Sequence, residues 1–276
     1  MVIVPAGYYY PVPTEAEQHE SFEWAERTPF AHPSVFDRDR LRDELERLIP
    51  FAGEFDPPLE QPDSRTYGWG MGMFGFSDAW AYYAMIRSRG PEVIVEVGSG
   101  ASTLVALEAV RRNGFGKVVC VEPYPRPFLR ELDVELVETP VQELAPSWFD
   151  ERLSDGAFLF IDSSHAVRAG SDCVHLYLRV LPDLRSRLAV HVHDFHMPEG
   201  TPADWLKTRV FWTEQYLVYA YLLGSREAKV VYGSVANLLW HPELMNGLMH
   251  GRAPAGGASL WFELDPSAKR APPASR

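Results

Sequence analysis

The run VIVEVGSGAST, residues 93–103, is the most informative part of this sequence. Its first five residues favour a β-strand, and all but Glu96 are β-branched aliphatic residues, as in a strand buried within a parallel sheet. Gly98 and Gly100 then allow a tight turn in which bare backbone can lie against a ligand. Apolar residues recur at helical spacing over residues 104–110, so the turn opens a helix whose free N–H groups point back at that ligand. Strand, glycine turn and helix are typical of the nucleotide-binding start of a doubly wound α/β sheet.

Glu96 is an acid inside this apolar strand. A buried carboxylate is costly unless it is paired, and a ligand with a cationic end would pair it. The run resembles the first motif of class I S-adenosylmethionine-dependent methyltransferases, where an acid precedes Gly-x-Gly. The resemblance implies S-adenosylmethionine, which carries an ammonium and a sulfonium, as the cofactor. The cofactor contacts expected within this run are Glu96, Gly98, Ser99, Gly100, Ser102 and Thr103.

The composition narrows the class of partner. Of the 276 residues, 46% are hydrophobic, which suffices for a substantial core, and the net charge is −12. No long cluster of Lys and Arg is present, whereas nucleic-acid binding needs a basic footprint. We therefore expect a small-molecule acceptor and no nucleic acid as partner. Assembly into a homo-oligomer is possible.

Neither a membrane nor an oxidising compartment is expected. No run approaches the ~20 apolar residues of a membrane helix. Residues 1–11 lack a basic leader and are broken by prolines, unlike a signal peptide. Cys120 and Cys173 lie in apolar runs without metal-site spacing, and no disulfide framework is implied. These features predict a cytoplasmic protein.

The distribution of proline and apolar residues predicts three regions. Residues 1–66 are expected to form an N-terminal arm or lid, with one helix over residues 35–48 that Pro50 stops. Residues 67–264 are expected to hold the methyltransferase-like domain. Residues 265–276 are expected to be a disordered tail.

Six further short apolar segments are predicted to be strands after the first one. They are residues 117–122, 134–138, 157–162, 188–194, 228–232 and 259–264. Helices are expected over residues 101–113, 128–132, 167–181, 216–223 and 242–250. Ser77 or Asp78 is expected to cap another helix before the first strand. The expected fold is α/β: a Rossmann-like, seven-stranded, mostly parallel sheet with helices on both faces and an antiparallel last strand.

Polar residues end several of these strands, and in an open α/β sheet ligands bind beyond the carboxyl ends. Glu122, about 20 residues past the glycines, is placed to accept both ribose hydroxyls of an adenosine, unless it only faces a helix N-terminus. Gln142 lies where an adenine amine could be contacted. Asp162, also an expected cofactor contact, combines with His193 and Asp194 into a set that suits a divalent ion.

His165, three residues beyond Asp162, is close enough to act as a general base near pH 7. The alternative is that His165 and His193 are only structural, as hydrogen-bonded polar residues of the core or of a loop. With Pro198, these residues resemble the metal-dependent catechol-type O-methyltransferases. The resemblance implies Asp162, His193 and Asp194 as ligands of Mg²⁺ or another divalent metal and His165 as the base, with His193 the second candidate. His165 stands where that family has lysine, and His193 where it has an acid.

Several runs together look like a bacterial class I methyltransferase family that is often encoded beside glycan or natural-product genes. They are residues 73–78, 95–100, 159–165, 170–172, 192–194, 211–216 and 259–261. Thr213 replaces the usual Asn of that family. Large aromatic residues near these runs either wall the acceptor site or lie in the core. They are Trp69, Phe74, Phe76, Trp212 and Tyr216.

These features predict a natural-product methyltransferase that methylates an oxygen of a small-molecule or sugar-like acceptor. A histidine base, a divalent metal, or both would remove the hydroxyl proton. A nicotinamide-dependent oxidoreductase is one alternative. Glu122 is consistent with it, whereas Glu96 and the missing third glycine are not. A non-catalytic nucleotide-binding protein and a hydroxylase on the same fold are the others.

Overall fold

The computed structural model describes residues 6–7 and 12–270. Its centre is a seven-stranded sheet with the strand order β3-β2-β1-β4-β5-β7-β6. The strands are β1 Val93–Val97, β2 Lys117–Val121, β3 Glu135–Val137, β4 Phe158–Ile161, β5 Leu188–Val192, β6 Ala228–Gly233 and β7 Leu260–Leu264. Strands β1 to β5 pair in parallel, and β7 lies antiparallel between β5 and β6. The predicted Rossmann-like sheet with an antiparallel last strand is confirmed.

Helices cover both faces of this sheet. The longer ones are α3 Arg38–Ala52, α4 Phe76–Arg89, α5 Ala101–Asn113 and α10 Glu214–Gly224. The shorter ones are α1 Glu15–His19, α2 Phe22–Ala25, α6 Pro146–Asp150, α7 Asp172–His175, α8 Leu181–Asp183, α9 Ala203–Lys207, α11 Ser234–Trp240 and α12 Pro242–Leu248. Single turns of 3₁₀-helix lie at Trp69–Met71, Pro127–Glu131, Val141–Glu143 and Pro266–Arg270.

The alternation of side chains along β1 separates two cores. Val95 and Val97 face one core, which α7, α8 and α10 cover. Ile94 faces the other, which holds α3, α4, α5 and α12. Helix α4 is the centre of that second core, because ten successive residues from Ser77 to Ile86 are buried. Any polar residue on the inner side of α4 therefore needs a protein partner.

Three sequence predictions about helices are corrected. Helix α3 runs through Pro50 to Ala52, since a proline this close to the helix end removes only one hydrogen bond. Helix α4 begins at Phe76 after Gly75, so neither Ser77 nor Asp78 is its cap. The helix expected over residues 167–181 begins only at α7. Ser171 accepts a hydrogen bond from a backbone N–H there, and a turn of π-helix over Leu176–Val180 follows.

The N-terminal region and the tail are described in part. Residues 1–5 and 8–11, which include most of the stretch compared with a signal peptide, and residues 271–276 of the expected disordered tail lie outside the described residues. The described start of the tail, Pro266–Arg270, is a 3₁₀ turn. Within the described residues, no helix is long and apolar enough to cross a membrane. The domain boundaries at residues 66 and 264 stay predictions.

Candidate functional site

The carboxyl ends of β1, β2, β4 and β5 border one pocket of about 730 Å³. Many of the predicted site residues line it: Phe74, Phe76, Gly98, Ser99, Gly100, Ser102, Glu122, Asp162, His193 and Asp194. Others do not: Trp69, Glu96, Thr103, Gln142, His165, Trp212 and Tyr216. The parallel register therefore brings the ends of separate strands together, as expected from the sheet.

The glycine turn after β1 forms one wall of this pocket. Gly98 has a φ of +81°, and a Cβ there would overlap the backbone carbonyl oxygen of Asp162, so the turn requires glycine. The Ser99 N–H donates to Oε2 of Glu122 at 3.3 Å, and the Tyr124 N–H donates to Oε1 at 2.8 Å. Glu122 is thereby fixed beside the turn.

Glu96 lies beneath the turn and has no exposed surface. The Tyr82 hydroxyl donates to its Oε1 at 2.9 Å and the Thr103 hydroxyl to its Oε2 at 2.5 Å. Burial raises the pKa of Glu96 to about 7, against the lowering effect of these hydrogen bonds. Protein hydroxyls satisfy this carboxyl and it does not line the pocket, and its pairing with a cationic ligand stays a prediction.

Two other predicted cofactor contacts lie away from the lining. Thr103 is fully buried in α5, and its hydroxyl accepts a hydrogen bond from the Gly100 N–H at 3.2 Å. It supports the turn from below. Gln142 is exposed in the 3₁₀ turn Val141–Glu143, outside the pocket. Neither side chain is therefore part of the pocket lining.

A cluster of two histidines and four carboxylates lies between α4, the ends of β4 and β5, and α10. We call it the carboxylate–histidine cluster; its members, in spatial order, are Asp78, His193, Asp162, Asp194, His165 and Glu214. Asp162 and Asp194 lie in the middle, and each histidine has a further carboxylate on its outer side. The cluster combines residues from widely separated parts of the sequence.

The two nitrogens of His165 both contact carboxylates. Nδ1 lies 2.7 Å from Oε2 of Glu214, which is buried and also accepts a hydrogen bond from the Tyr177 hydroxyl at 2.7 Å. Nε2 lies 3.2 Å from Oδ1 of Asp162 and 3.5 Å from Oδ2 of Asp194. The ring is buried behind these two aspartates, which is why His165 does not line the pocket.

His193 has a similar environment on the other side. Its Nε2 lies 3.3 Å from Oδ2 of Asp78, and its Nδ1 lies 3.5 Å from Asp162 and 3.6 Å from Asp194. Neither ring nitrogen makes a hydrogen bond of standard geometry to any described residue. The buried Asp78 is itself held by the Ser234 hydroxyl at 2.7 Å and by backbone N–H groups.

The carboxylates keep both histidines protonated near neutral pH. Burial lowers the pKa of His165, but its contacts with Asp162 and Glu214 outweigh burial and raise that pKa to about 10. His193 follows the same pattern: burial lowers its pKa, and Asp162 and its other acidic neighbours raise it well above the usual value. Burial raises the pKa of Asp162, yet the two histidines bring it below its usual value.

Two residues of this cluster are among the five described non-glycine residues with a positive φ. His165 has a φ of +56° and Asp194 a φ of +55°, in the left-handed region that side chains rarely occupy. Each such residue costs on the order of 1–3 kcal/mol, and such strain clusters at active sites and ligand clamps. Both residues follow strands that end in the pocket, and the strained turns direct their side chains toward the middle of the cluster.

Three of the cluster atoms suit a metal ion. Ligand atoms of Asp162, His165 and Asp194 all lie within 4.8 Å of one another. The predicted set had His193 in place of His165. Because His193 Nδ1 lies 3.5 and 3.6 Å from the two aspartates, it lies at the edge of the same group. Glu214 fixes the outer nitrogen of His165, as carboxylates commonly do for metal-binding histidines, and Asp78 lies 3.3 Å from the outer nitrogen of His193.

The sequence analysis missed Asp78 and Glu214 as site residues. The sequence predicts only a helix-capping role for Asp78, and it predicts no role for Glu214 in the run 211–216. The available signal for Asp78 is an acid in the first turn of α4 just before the apolar run from Ala79 to Ile86, because a buried charge needs partners. No local spacing links Glu214 to His165.

The predicted aromatic walls divide into two groups. Phe74 and Phe76 line the pocket, and the Phe74 ring centroid lies 5.1 Å from that of His193. Trp69 lies behind them, with its ring centroid 5.6 Å from that of Phe76. These residues belong to or adjoin the glycine-rich loop before α4, and their contact with an acceptor stays a prediction.

Trp212 and Tyr216 lie outside the lining. Trp212 packs on His165 with ring centroids 4.3 Å apart and on Trp205 with centroids 4.6 Å apart, and Trp205 is the tryptophan that lines the pocket. The Tyr216 hydroxyl donates to Oε1 of Glu23 at 2.7 Å, so its ring faces the N-terminal arm. Neither residue lines the pocket, and their acceptor contacts stay a prediction.

The part of the chain that holds most of the pocket is similar to a known domain family. The methyltransferase domain family matches residues 95–195, which hold the glycine turn, Glu122, Asp162, His165, His193 and Asp194. An uncharacterised protein from Archaeoglobus fulgidus is 31% identical over 162 residues, covering 54% of this chain and 73% of that protein. The match with the domain family includes the ends of the four strands that border the pocket.

Two solved structures are similar to this chain at low identity. One is the O-methyltransferase TomG from Streptomyces achromogenes, involved in tomaymycin synthesis and solved with S-adenosylmethionine; it is 14% identical, with 81% of this chain and 89% of that chain covered and a TM-score of 0.42. The other is a SAM-dependent methyltransferase from Archaeoglobus fulgidus, 14% identical, with 67% and 93% covered and a TM-score of 0.35.

Proposed function

We propose that this chain, whose residues 95–195 match the methyltransferase domain family, is an S-adenosylmethionine-dependent methyltransferase that transfers the donor's methyl group to a hydroxyl oxygen of a small-molecule or sugar-like acceptor. The observation that carries the proposal is that the glycine turn and the carboxylate–histidine cluster share one pocket. The turn would hold the donor, and the cluster would handle the acceptor's hydroxyl. A role in natural-product biosynthesis stays a prediction.

The donor side would use bare backbone and one carboxylate. The N–H groups at the start of α5 suit the donor's carboxylate end. Ser99 and Tyr124 occupy two of the roughly four lone-pair sites of Glu122, which leaves sites for ribose hydroxyls. Tyr124 lies next to this carboxylate with 86% of its surface exposed, available to cover an adenine ring. The bound donor supplies a methyl group already activated by its sulfonium.

The acceptor side must remove a proton as the oxygen attacks the methyl carbon. A neutral histidine could take that proton, but the carboxylates hold His165 and His193 protonated near pH 7. A protonated imidazole has no lone pair for this task. His165 is also separated from the pocket by Asp162 and Asp194. These contacts favour a divalent ion at the cluster over the free histidine base.

The cluster residues fit such an ion. Asp162, Asp194 and His165 would hold it, with His193 as a further ligand whose ring nitrogens lack standard hydrogen bonds among the described residues. One divalent cation would replace the two imidazolium protons without changing the total charge. Imidazole nitrogen suits first-row transition metals better than Mg²⁺, which prefers oxygen, and the two aspartate oxygens suit Mn²⁺ among these metals. When bound, the ion would lower the pKa of the acceptor's hydroxyl.

Calorimetry with S-adenosylhomocysteine tests the donor side. We expect one molecule to bind per chain, and Glu122→Ala to weaken binding about tenfold or more through the lost ribose contacts. Glu151→Ala, at an exposed acid far from the pocket lining, is the matched control and should bind as the wild type does. Mass spectrometry then screens hydroxylated acceptors for a gain of about 14 daltons, one methylene. An absence of S-adenosylhomocysteine binding would overturn the proposal.

A further inference from the structure

We propose that Glu23, in the N-terminal arm, is a positioning residue for the carboxylate–histidine cluster, acting through Tyr216 and Thr201. The arm would thereby help to position the residues of the site, in addition to covering it. The inference rests on the proposed function only in one respect: the cluster is the part of the pocket at which the acceptor's hydroxyl would be activated. The contacts that link Glu23 to the cluster do not depend on it.

Glu23 joins two segments that flank the cluster. Its Oε1 accepts a hydrogen bond from the Tyr216 hydroxyl at 2.7 Å, and its Oε2 accepts one from the Thr201 backbone N–H at 3.1 Å. The Thr201 and Tyr216 hydroxyls also lie 2.8 Å apart. One half-buried carboxylate therefore ties the loop after β5 to the first turn of α10, in a closed network of three residues.

The first turn of α10 in turn holds His165. Tyr216 lies two residues after Glu214, whose carboxylate contacts His165 Nδ1 at 2.7 Å. The backbone N–H groups of Thr213 and Glu214 both donate to the carbonyl oxygen of His165, at 2.9 and 3.1 Å. Both the ring and the backbone of this histidine are thus fixed by the helix start that Glu23 anchors, which helps to keep its left-handed backbone conformation in place.

The loop after β5 holds Asp194 through a second route. Gln215, buried in α10, donates from Nε2 to the Thr201 hydroxyl at 3.0 Å. Its Oε1 accepts a hydrogen bond from the backbone N–H of His196 at 3.2 Å. His196 lies two residues beyond Asp194, at the start of the loop. Glu23, Thr201 and Gln215 therefore brace the segment that carries one of the two central aspartates.

The local sequence is adapted to the contact with Glu23. Gly200 has a φ of +103°, and a Cβ there would lie 2.9 Å from Oε2 of Glu23 and 3.3 Å from the Phe30 ring. Phe30, farther along the arm, donates its N–H to the Pro198 carbonyl at 3.2 Å and packs against Tyr216 with ring centroids 6.0 Å apart. The arm and the loop are thus closely packed where Glu23 enters.

Hydrogen exchange of the full-length protein tests the proposal directly. We expect Glu23→Ala to speed exchange of the backbone N–H groups of His196, Thr213 and Glu214 by about fivefold or more, since local opening becomes easier. Tyr216→Phe breaks the same link by removing one hydroxyl, and it should give the same pattern even where Glu23→Ala fails to fold. Glu26→Ala, at an exposed acid on the same arm, is the control and should leave these rates unchanged.

A binding readout separates positioning from general loosening. We expect Mn²⁺ affinity to fall about tenfold in Glu23→Ala, as for other outer-shell changes, with S-adenosylhomocysteine affinity within about twofold of the wild type. Faster exchange confined to Thr201, or an equal effect of Glu26→Ala, would overturn the inference. A wild type that binds no S-adenosylhomocysteine would instead overturn the proposed function, and the exchange pattern would still decide the role of Glu23.

Discussion

Glu214 Oε2 lies 2.7 Å from Nδ1 of His165, and this contact fixes which way the ring presents its other nitrogen. The second nitrogen consequently lies at the middle of the carboxylate–histidine cluster, 3.2 Å from Asp162. Because Glu214 also accepts from Tyr177 and Ser163, the carboxylate is held on several sides. The orientation of His165 is thus determined by a residue 49 positions away in the sequence.

The first prediction concerns this pair. Glu214→Gln keeps the shape but replaces a carboxylate by an amide, so it weakens the orientation and basicity of His165. We expect Mn²⁺ affinity to fall about 10- to 100-fold, as is typical for partners of metal-binding histidines. Isothermal titration calorimetry measures the change. Glu199→Gln, at an exposed acid, is the control; equal affinities of Glu214→Gln and wild type would contradict the role of Glu214.

The second prediction concerns the protons that the two histidines release when a metal ion binds. The pKa of His165 is raised to about 10 and that of His193 lies well above its usual value, so both carry a proton near pH 7 in the free protein. Metal ligation requires the neutral imidazole. We therefore expect about two protons to be released per Mn²⁺ bound at pH 7, from calorimetry in buffers of different ionisation enthalpy. Binding without proton release would count against histidine ligation.

The third prediction concerns the glycine turn. Gly98→Ala places a methyl group onto the carbonyl oxygen of Asp162 at a φ of +81°, so the turn must shift. We expect the variant to lose S-adenosylhomocysteine binding by about a hundredfold or more and to unfold at a lower temperature, because both steric overlap and backbone strain are introduced. Gly224→Ala, at a helical glycine with open space around it, is the control and should bind normally.

The fourth prediction concerns pH and stability. Burial raises the pKa of Glu96 to about 7 from its usual 4.5, so the folded state binds this proton more tightly than the unfolded state. The free energy of unfolding therefore falls as pH rises from about 4.5 through 7, by about 3 kcal/mol for this group. Glu96→Gln removes the titration. Urea unfolding at pH 5 and pH 8 should show a smaller decline in the free energy of unfolding for the variant than for the wild type. Identical declines would contradict the raised pKa of Glu96.

The parts of the molecule that depend on local sequence could be predicted from it. The glycine turn, the strand endings at Glu122, Asp162 and Asp194, and the sheet itself follow from short patterns, since strand burial and backbone freedom act over a few residues. Parallel pairing then brings these endings to one edge. This is why ten of the 21 residues that line the pocket could be named in advance.

The rest depends on packing between distant segments. Asp78 and Glu214 reach the cluster from helices on opposite faces of the sheet, and no spacing in the sequence relates them to the histidines. Tyr216 was expected at the acceptor, yet the phase of α10 turns it toward Glu23 in the arm. The sequence predicts a cationic ligand at Glu96 but not the hydroxyls of α4 and α5 that contact this carboxyl in the structure. Such choices are decided by tertiary contacts alone.

The central claim is that one pocket holds the methyl donor at the glycine turn and an ion at the carboxylate–histidine cluster. Anomalous diffraction from crystals grown with S-adenosylhomocysteine and Mn²⁺ tests it most directly. We predict S-adenosylhomocysteine against Gly98 and Glu122, and one anomalous peak within ligand distance of Asp162, Asp194 and His165, with His193 as the further ligand. A pocket without S-adenosylhomocysteine, or manganese bound only elsewhere on the protein, would contradict the account.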